Sequence, residues 1–154
     1  MVGGEVQDDW PVNNGFIQPP HDGLNVSYCP KQNIDINQGS VSFWLKPIDW
    51  DGSTSGFNVL FYSRIGKGFF QLYKFWSTED IRLILGDAGM YTKVQVQAGA
   101  WRMRQWRHVV FTWSPVELRL FIDGRMVSVQ RRRALLDSGI DLDPISVGPG
   151  GEWA

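Results

Sequence analysis

Alternation of apolar and polar side chains, with a period of two residues, is the dominant pattern along the chain. Residues 40–47 show it clearly, because every second residue from Val41 to Leu45 is apolar. Such alternation predicts a β-strand with one face in a core. Pro47 ends this strand, since proline has no N–H to donate to a ladder. No run of about ten residues has the apolar spacing of an amphipathic helix, so an all-β fold is predicted.

Further strands are predicted at short intervals, with turn residues between them. They lie at residues 16–18, 24–28, 58–64, 69–76, 81–87, 93–98, 107–113, 118–123, 125–129 and 145–147. The connections are too short for parallel crossovers, so antiparallel hairpins are expected. Between two of these strands, Asp123 and Gly124 predict a type I′ turn, because both central positions of that turn require positive φ.

The length and composition of the chain limit the classes of function. The 154 residues, 1–154, are predicted to form a single domain excised from a larger protein. Fifteen basic residues balance sixteen acidic ones, so nucleic acid is not an expected partner. Cys29 is the only cysteine, which excludes an internal disulfide. No apolar run approaches the ~18 residues of a membrane span, so none is predicted.

Three segments together resemble a known family. They are residues 39–47 (GSVSFWLKP), 105–113 (QWRHVVFTW) and 118–125 (LRLFIDGR). In this order and spacing they resemble the laminin-G-like jelly rolls of the concanavalin A-like lectin and glucanase superfamily, as found in bacterial multidomain proteins. The resemblance covers residues 16–148 and implies an antiparallel β-sandwich with a curved front sheet. Trp44, Trp106 and Trp113 fall inside these segments and are expected in the core.

The resemblance leaves the ligand open, because members of this fold bind sugars, proteins or lipids and some are glucanases. Glucanases of this fold carry Glu-x-Asp and a second Glu on one strand, since nucleophile and acid/base must stand about 5 Å apart. The glutamates here, Glu5, Glu79, Glu117 and Glu152, are scattered over expected loops and ends. A non-catalytic module is therefore predicted, with a glucanase-type glycoside hydrolase as the weaker alternative.

A polar face across neighbouring strands is the candidate binding site. Sugars are held by stacking on flat rings and by hydrogen bonds from planar amides and guanidinium groups. Alternation places Gln71 and Tyr73 on one face, and the same rule adds residues from the next two strands. The candidate ligand-binding residues are Gln71, Tyr73, Arg82, Tyr91 and Gln95, together with Trp50, Trp76 and Trp101 as exposed stacking rings. The same pattern also fits the ordinary exposed face of a half-solvated sheet.

For three further polar residues a structural role is the favoured interpretation. Asp49 and Asp51, in a glycine-rich loop, are weak candidates for calcium ligands, and a solvated turn is the favoured interpretation because the later ligands of an EF-hand loop are missing. No other cofactor is expected. His108 is expected to form a hydrogen bond across the sheet.

These observations predict a carbohydrate-binding module that attaches a larger, extracellular or cell-surface protein to a polysaccharide or glycan. The alternative is a structural or protein-interaction domain without sugar binding. In the related family a last strand follows the region of Gly148, and the sequence lacks it, so an open sheet edge is expected. Such an edge could pair with a partner chain or with a second copy in a homo-oligomer.

Overall fold

A computed structural model describes residues 26–28, 34–54, 56–65, 68–75, 80–87, 90–133 and 145–147. Within these ranges the backbone forms ten strands and no helix, as the sequence predicts. The strands are β1 (Val26–Tyr28), β2 (Gly39–Leu45), β3 (Asn58–Ile65), β4 (Gly68–Lys74), β5 (Asp80–Asp87), β6 (Met90–Gln97), β7 (Arg107–Trp113), β8 (Glu117–Ile122), β9 (Arg125–Arg131) and β10 (Ile145–Val147). The described residues contain no helix long and apolar enough to cross a lipid bilayer.

The strands form two sheets. One has six strands in the order β1-β10-β3-β4-β5-β6, and the other has four in the order β2-β7-β8-β9. All neighbouring strands are antiparallel. From β3 to β6 the chain runs through consecutive hairpins of the six-stranded sheet, then crosses to β7 and continues through two hairpins to β9. The predicted antiparallel jelly-roll sandwich is confirmed.

An aromatic cluster joins the inner faces of the two sheets. Phe61 and Phe70 come from the six-stranded sheet, and Phe111 and Trp113 come from β7 of the other. Ring centroids lie 5.2 Å apart for Phe61 and Phe70, and 5.1 Å apart for Phe61 and Phe111, with the rings edge to face. This is a favoured geometry of aromatic pairs. The indole N–H of Trp113 donates to the backbone oxygen of Asp35 at 2.9 Å, so its polar atom is satisfied in the core.

Predicted and observed strands agree closely in the second half of the chain. The strands at 107–113 and 145–147 have the predicted bounds, and Asp123 and Gly124 have φ of 52° and 77°, as a type I′ turn requires. β6 begins three residues before the predicted strand, because Met90 and Tyr91 continue the ladder with β5. The predicted strand at 16–18 lies outside the described residues.

Trp44 and Trp106 are the exceptions among the tryptophans of the three family segments, and Trp44 departs furthest from the expected position. Its side chain is 43% exposed, because Phe43 and Leu45 occupy the inward positions of β2 and leave Trp44 on the opposite face. The expectation that Trp44 lies in the core is therefore wrong. Its ring stacks on His108 with a centroid distance of 4.8 Å, and His108 Nε2 lies 2.9 Å from Ser42 Oγ. The predicted hydrogen bond of His108 across the sheet is confirmed. Trp113 lies in the core, and Trp106 is half-buried.

Candidate functional site

The outer face of the six-stranded sheet, the one turned away from the core, carries three lateral rows of side chains on β3 to β6. The rows are Val59, Tyr73, Arg82 and Gln95; Tyr62, Gln71, Ile84 and Lys93; and Arg64, Phe69, Gly86 and Tyr91. The intervening residues point inward, and Leu72, Leu83 and Val94 among them belong to the core. The structure thus places all five sheet residues of the predicted site on one face.

A hydrogen-bonded and aromatic cluster fixes the Arg82 side chain on this face. Its guanidinium carbon lies 3.9 Å from the centroid of the Phe75 ring, and its Nη2 donates to Asp80 Oδ2 at 3.1 Å. Tyr73 packs between Phe57, at 5.0 Å between centroids, and Phe75, at 6.3 Å. Burial raises the pKa of Tyr73 and outweighs the opposing effect of Arg82, so the hydroxyl stays neutral. The cluster presents a charged donor in one orientation.

Asp80, the first residue of β5, holds this cluster in place. It is 4% exposed, and its Oδ1 accepts a hydrogen bond of 2.6 Å from Gln97 Nε2 while its Oδ2 accepts that of Arg82. Among the described side chains of the outer face, Asp80 is the one carboxylate. Both of its oxygens are engaged in hydrogen bonds. Its role in this arrangement is to orient Arg82 and Gln97.

Some side chains of the outer face are more buried than is usual for a half-solvated sheet. Gln71 is 2% and Tyr73 6% exposed, whereas Tyr91 is 47% exposed and Lys93 and Gln95 are also exposed. Sequence alternation predicts which face these residues share but not this difference in depth. The face has a buried floor on β4 and an exposed rim on β6.

Gly86 explains how the rim is formed. A Cβ atom at this outer-face position would lie 2.4 Å from Tyr91 Cα and 2.5 Å from the Met90 backbone oxygen, far inside contact distance. Only glycine allows β6 to approach β5 so closely. Tyr91 therefore occupies the space that a side chain at position 86 would need. Sequence reasoning missed Gly86, although a glycine inside a strand is a recognised signal of close backbone approach.

Trp50 and Trp101 do not belong to this face. Their side chains are only 8% and 4% exposed, and their rings stack on each other with a centroid distance of 6.1 Å. The prediction that they stand exposed is wrong, because the loop carrying Trp50 is pressed onto the connection after β6. There, Gly52 N donates to the Trp101 backbone oxygen at 3.1 Å, and a Cβ on Gly52 would lie 1.8 Å from the Ala98 oxygen. Trp76 lies outside the described residues.

Asp51 organises the loop between β2 and β3. Its Oδ1 accepts hydrogen bonds of 2.8–2.9 Å from the backbone N–H and the hydroxyl of both Ser53 and Thr54. These bonds, with the Ser53 side chain contributing most, lower the pKa of Asp51 from 3.8 to about 2. No group of three or more His, Cys, Asp or Glu suited to a metal occurs in the described part of the chain. The geometry of Asp51 favours the turn over the calcium loop, and Asp49 is exposed.

We expect Asp51 to give this domain part of its acid sensitivity. Because the pKa of Asp51 is lower in the folded state, the stability it contributes is complete above about pH 4 and is lost as the pH falls towards 2. Asp51→Asn should therefore flatten the decline in unfolding free energy over this range, measured by urea denaturation. Asp49→Asn, which removes a charge from the same loop without touching these hydrogen bonds, is the control. Parallel declines in the wild type and Asp51→Asn would contradict the assignment.

Comparisons with known proteins agree with this architecture. The family model described as the concanavalin A-like lectin/glucanases superfamily matches residues 22–146. No curated protein sequence matches the chain. Among solved structures, the Ruminococcus gnavus IT-sialidase CBM40 bound to α2,3 sialyllactose is similar, with a TM-score of 0.59 and 16% identity over 80% of this chain and 72% of that one.

Two other similar structures are larger proteins. The botulinum neurotoxin serotype D binding domain has a TM-score of 0.60 and 19% identity, over 77% of this chain and 30% of the toxin chain. A leech intramolecular trans-sialidase complexed with 2,7-anhydro-Neu5Ac has a TM-score of 0.60 and 17% identity, over 81% of this chain and 21% of the enzyme. At such identities the likeness is one of fold.

Proposed function

Because the chain belongs to the concanavalin A-like lectin/glucanases superfamily, we propose that it is a non-catalytic module that binds glycans on the outer face of its six-stranded sheet. The observation that carries the proposal is the lateral row of Tyr73, Arg82 and Gln95, with Arg82 fixed between Phe75 and Asp80. A donor that is held in place before binding loses little conformational entropy when a sugar hydroxyl accepts its hydrogen bond.

The exposed rim supplies the other contacts of the proposed site. Gln95 offers both a donor and acceptor in a planar amide, which suits the paired hydroxyls of a sugar. Tyr91 offers an exposed ring on which the C–H face of a pyranose can stack. With Trp50 and Trp101 buried, Tyr91 is the stacking ring we assign.

We propose a non-catalytic module because of the position and contacts of Asp80. Glycoside hydrolysis on this fold needs two carboxyl groups on either side of the scissile bond, and retaining enzymes place them about 5 Å apart. Of the described outer-face side chains, Asp80 alone is acidic, and it is already bonded to Arg82 and Gln97. A group committed to orienting its neighbours is a poor nucleophile or proton donor.

The structural neighbours support glycans as the ligand class. One is a carbohydrate-binding domain bound to a sialyllactose, and another is a toxin binding domain in complex with SialylT. Glycans of this kind are displayed on cell surfaces, so we propose that the module acts outside the cell or at its surface. There it would attach a larger protein to a glycan.

The test of this proposal is a glycan array followed by calorimetric titration with the strongest ligand. We expect Tyr91→Ala to weaken binding about 3- to 10-fold, because a stacked ring contributes roughly 0.5–1.5 kcal/mol. Trp44→Ala is the matched control, since Trp44 is similarly exposed but lies on the other sheet. Retention of no glycan, or an effect of Trp44→Ala larger than that of Tyr91→Ala, would overturn the proposal.

The edge strand β9 favours a second candidate function, the capture of a partner strand. Within the described residues β9 pairs with β8 alone, and three of its apolar side chains, Met126, Val127 and Val129, are exposed. An exposed apolar edge is a template for strand addition. A mass in light scattering that rises with concentration, returns to the monomer value in Val129→Lys and ignores added sugar would favour this function.

A further inference from the structure

We propose that the glycan carries a negatively charged substituent, which binds above Ile84 between the side chains of Gln71 and Lys93. The inference rests on the proposed function and names the chemical class of its ligand. Gln71, Ile84 and Lys93 lie in one lateral row on β4, β5 and β6. Adjacent strands are about 4.8 Å apart, so the two polar residues stand about 10 Å apart at the backbone, within reach of one substituent.

The charges of the outer face favour an anion. Its described side chains include three cations, Arg64, Arg82 and Lys93, and one carboxylate, Asp80. The chain as a whole has a formal net charge of −1, whereas the described side chains of this face carry a net positive charge. A positive surface raises the local concentration of anionic ligands and orients them on approach.

Lys93 is the cation most available to a ligand. It is exposed, and its ammonium forms no hydrogen bond or ion pair with the described part of the chain. By contrast, the charge of Arg82 is already balanced by the carboxylate of Asp80. A carboxylate or sulfate ester would gain charge-assisted hydrogen bonds from Lys93 without breaking an existing ion pair.

Gln71 is the independent sign of a ligand at this position. It is 98% buried on the outer face, yet its Nε2 has no hydrogen-bond partner. Buried donors are nearly always paired, because an unpaired one loses its bonds to water and gains nothing. An oxygen of the anionic substituent would supply the acceptor that the Gln71 amide lacks.

Paired polysaccharides test the charge preference. The probes are polygalacturonate with its full methyl ester, and dextran sulfate with dextran, compared by affinity electrophoresis and calorimetry. We expect the acidic member of at least one pair to bind more tightly, and Lys93→Gln to weaken that binding about 10-fold, the lower end for a lost charge-assisted hydrogen bond. Binding to a neutral glycan should not change. Arg125→Gln, which removes an exposed cation from the other sheet, is the control.

Gln71→Leu provides a second variant, which is expected to lower the affinity without lowering the melting temperature. Because it replaces an unpaired buried amide with an apolar side chain of similar size, we expect its melting temperature to be equal to or above that of the wild type. Its affinity for the acidic glycan should nevertheless fall. Neutral and acidic members bound equally, with Lys93→Gln silent, would overturn this inference while leaving the proposed function intact. Binding to no glycan at all would overturn the proposed function and this inference with it.

Discussion

Phe111→Ala is expected to lower the free energy of unfolding by about 3–5 kcal/mol, a large part of the stability of a domain of this size. The Phe111 side chain is fully buried on β7. Its ring contacts Phe61 and Phe70 of the opposite sheet, at 5.1 and 5.3 Å between centroids, and Trp113 of its own strand. Removing it leaves a cavity between the sheets, which the rigid strands on both sides cannot close.

Chemical denaturation followed by tryptophan fluorescence measures this loss. Phe121→Ala is the matched control, because Phe121 lies in the same sheet on the adjacent strand but points to the outside and is half-buried. Its loss should be clearly smaller, and Phe111→Leu should fall between the two. Equal losses for Phe111→Ala and Phe121→Ala would show that the aromatic cluster is not what holds the sheets together.

The strands and their faces could be predicted from the sequence because alternation is a local property. Trp44 shows how far this reasoning goes. The alternation of Val41, Phe43 and Leu45 places Trp44 on the opposite face, and the structure exposes it there. The expectation of a buried Trp44 came from its position in a family segment. The periodicity of a strand decides the environment of a side chain more directly than its membership of such a segment.

Burial depth could not be predicted, because it depends on segments that are distant in sequence. Trp50 lies in a loop of polar and glycine residues, where a ring would ordinarily be exposed. It is buried because the loop packs on the connection after β6, some fifty residues away in sequence, through Gly52. The buried floor on β4 is a second example. Gln71 and Tyr73 have the predicted direction, but alternation along one strand does not show that they are buried.

Lys74 is another residue whose burial and contacts could not be predicted from the sequence. Alternation places it on the inner face beside Ile81, where a lysine is unusual, and it is 1% exposed. Its ammonium donates a hydrogen bond to the backbone oxygen of Thr54, whose N–H and hydroxyl are held by Asp51. Lys74 and Asp51 therefore attach the loop to the end of β4. The charged residues of this region stabilise the scaffold of the candidate site.

Arg82→Ala is expected to weaken glycan binding about 10- to 100-fold, the largest effect of any single change on the outer face. This factor corresponds to the loss of hydrogen bonds from a charged donor, which contribute roughly 1.5–3 kcal/mol. Arg82→Lys should recover only part of the affinity, since lysine keeps the charge but lacks the planar fork and its stacking on Phe75. Calorimetric titration of both variants, with melting temperatures to check the fold, measures the effect. Wild-type affinity in Arg82→Ala would remove the central contact of the proposed site.

A double-mutant cycle with Asp80 separates contact from positioning. If Asp80 acts only by orienting Arg82, Asp80→Asn will weaken binding in the wild-type background and have almost no further effect in Arg82→Ala. If Asp80 instead contacts the sugar itself, its substitution will weaken binding by the same factor in both backgrounds. The hydrogen bonds from Arg82 and Gln97 to the two Asp80 oxygens predict the first outcome, because they leave the carboxylate fully engaged within the protein.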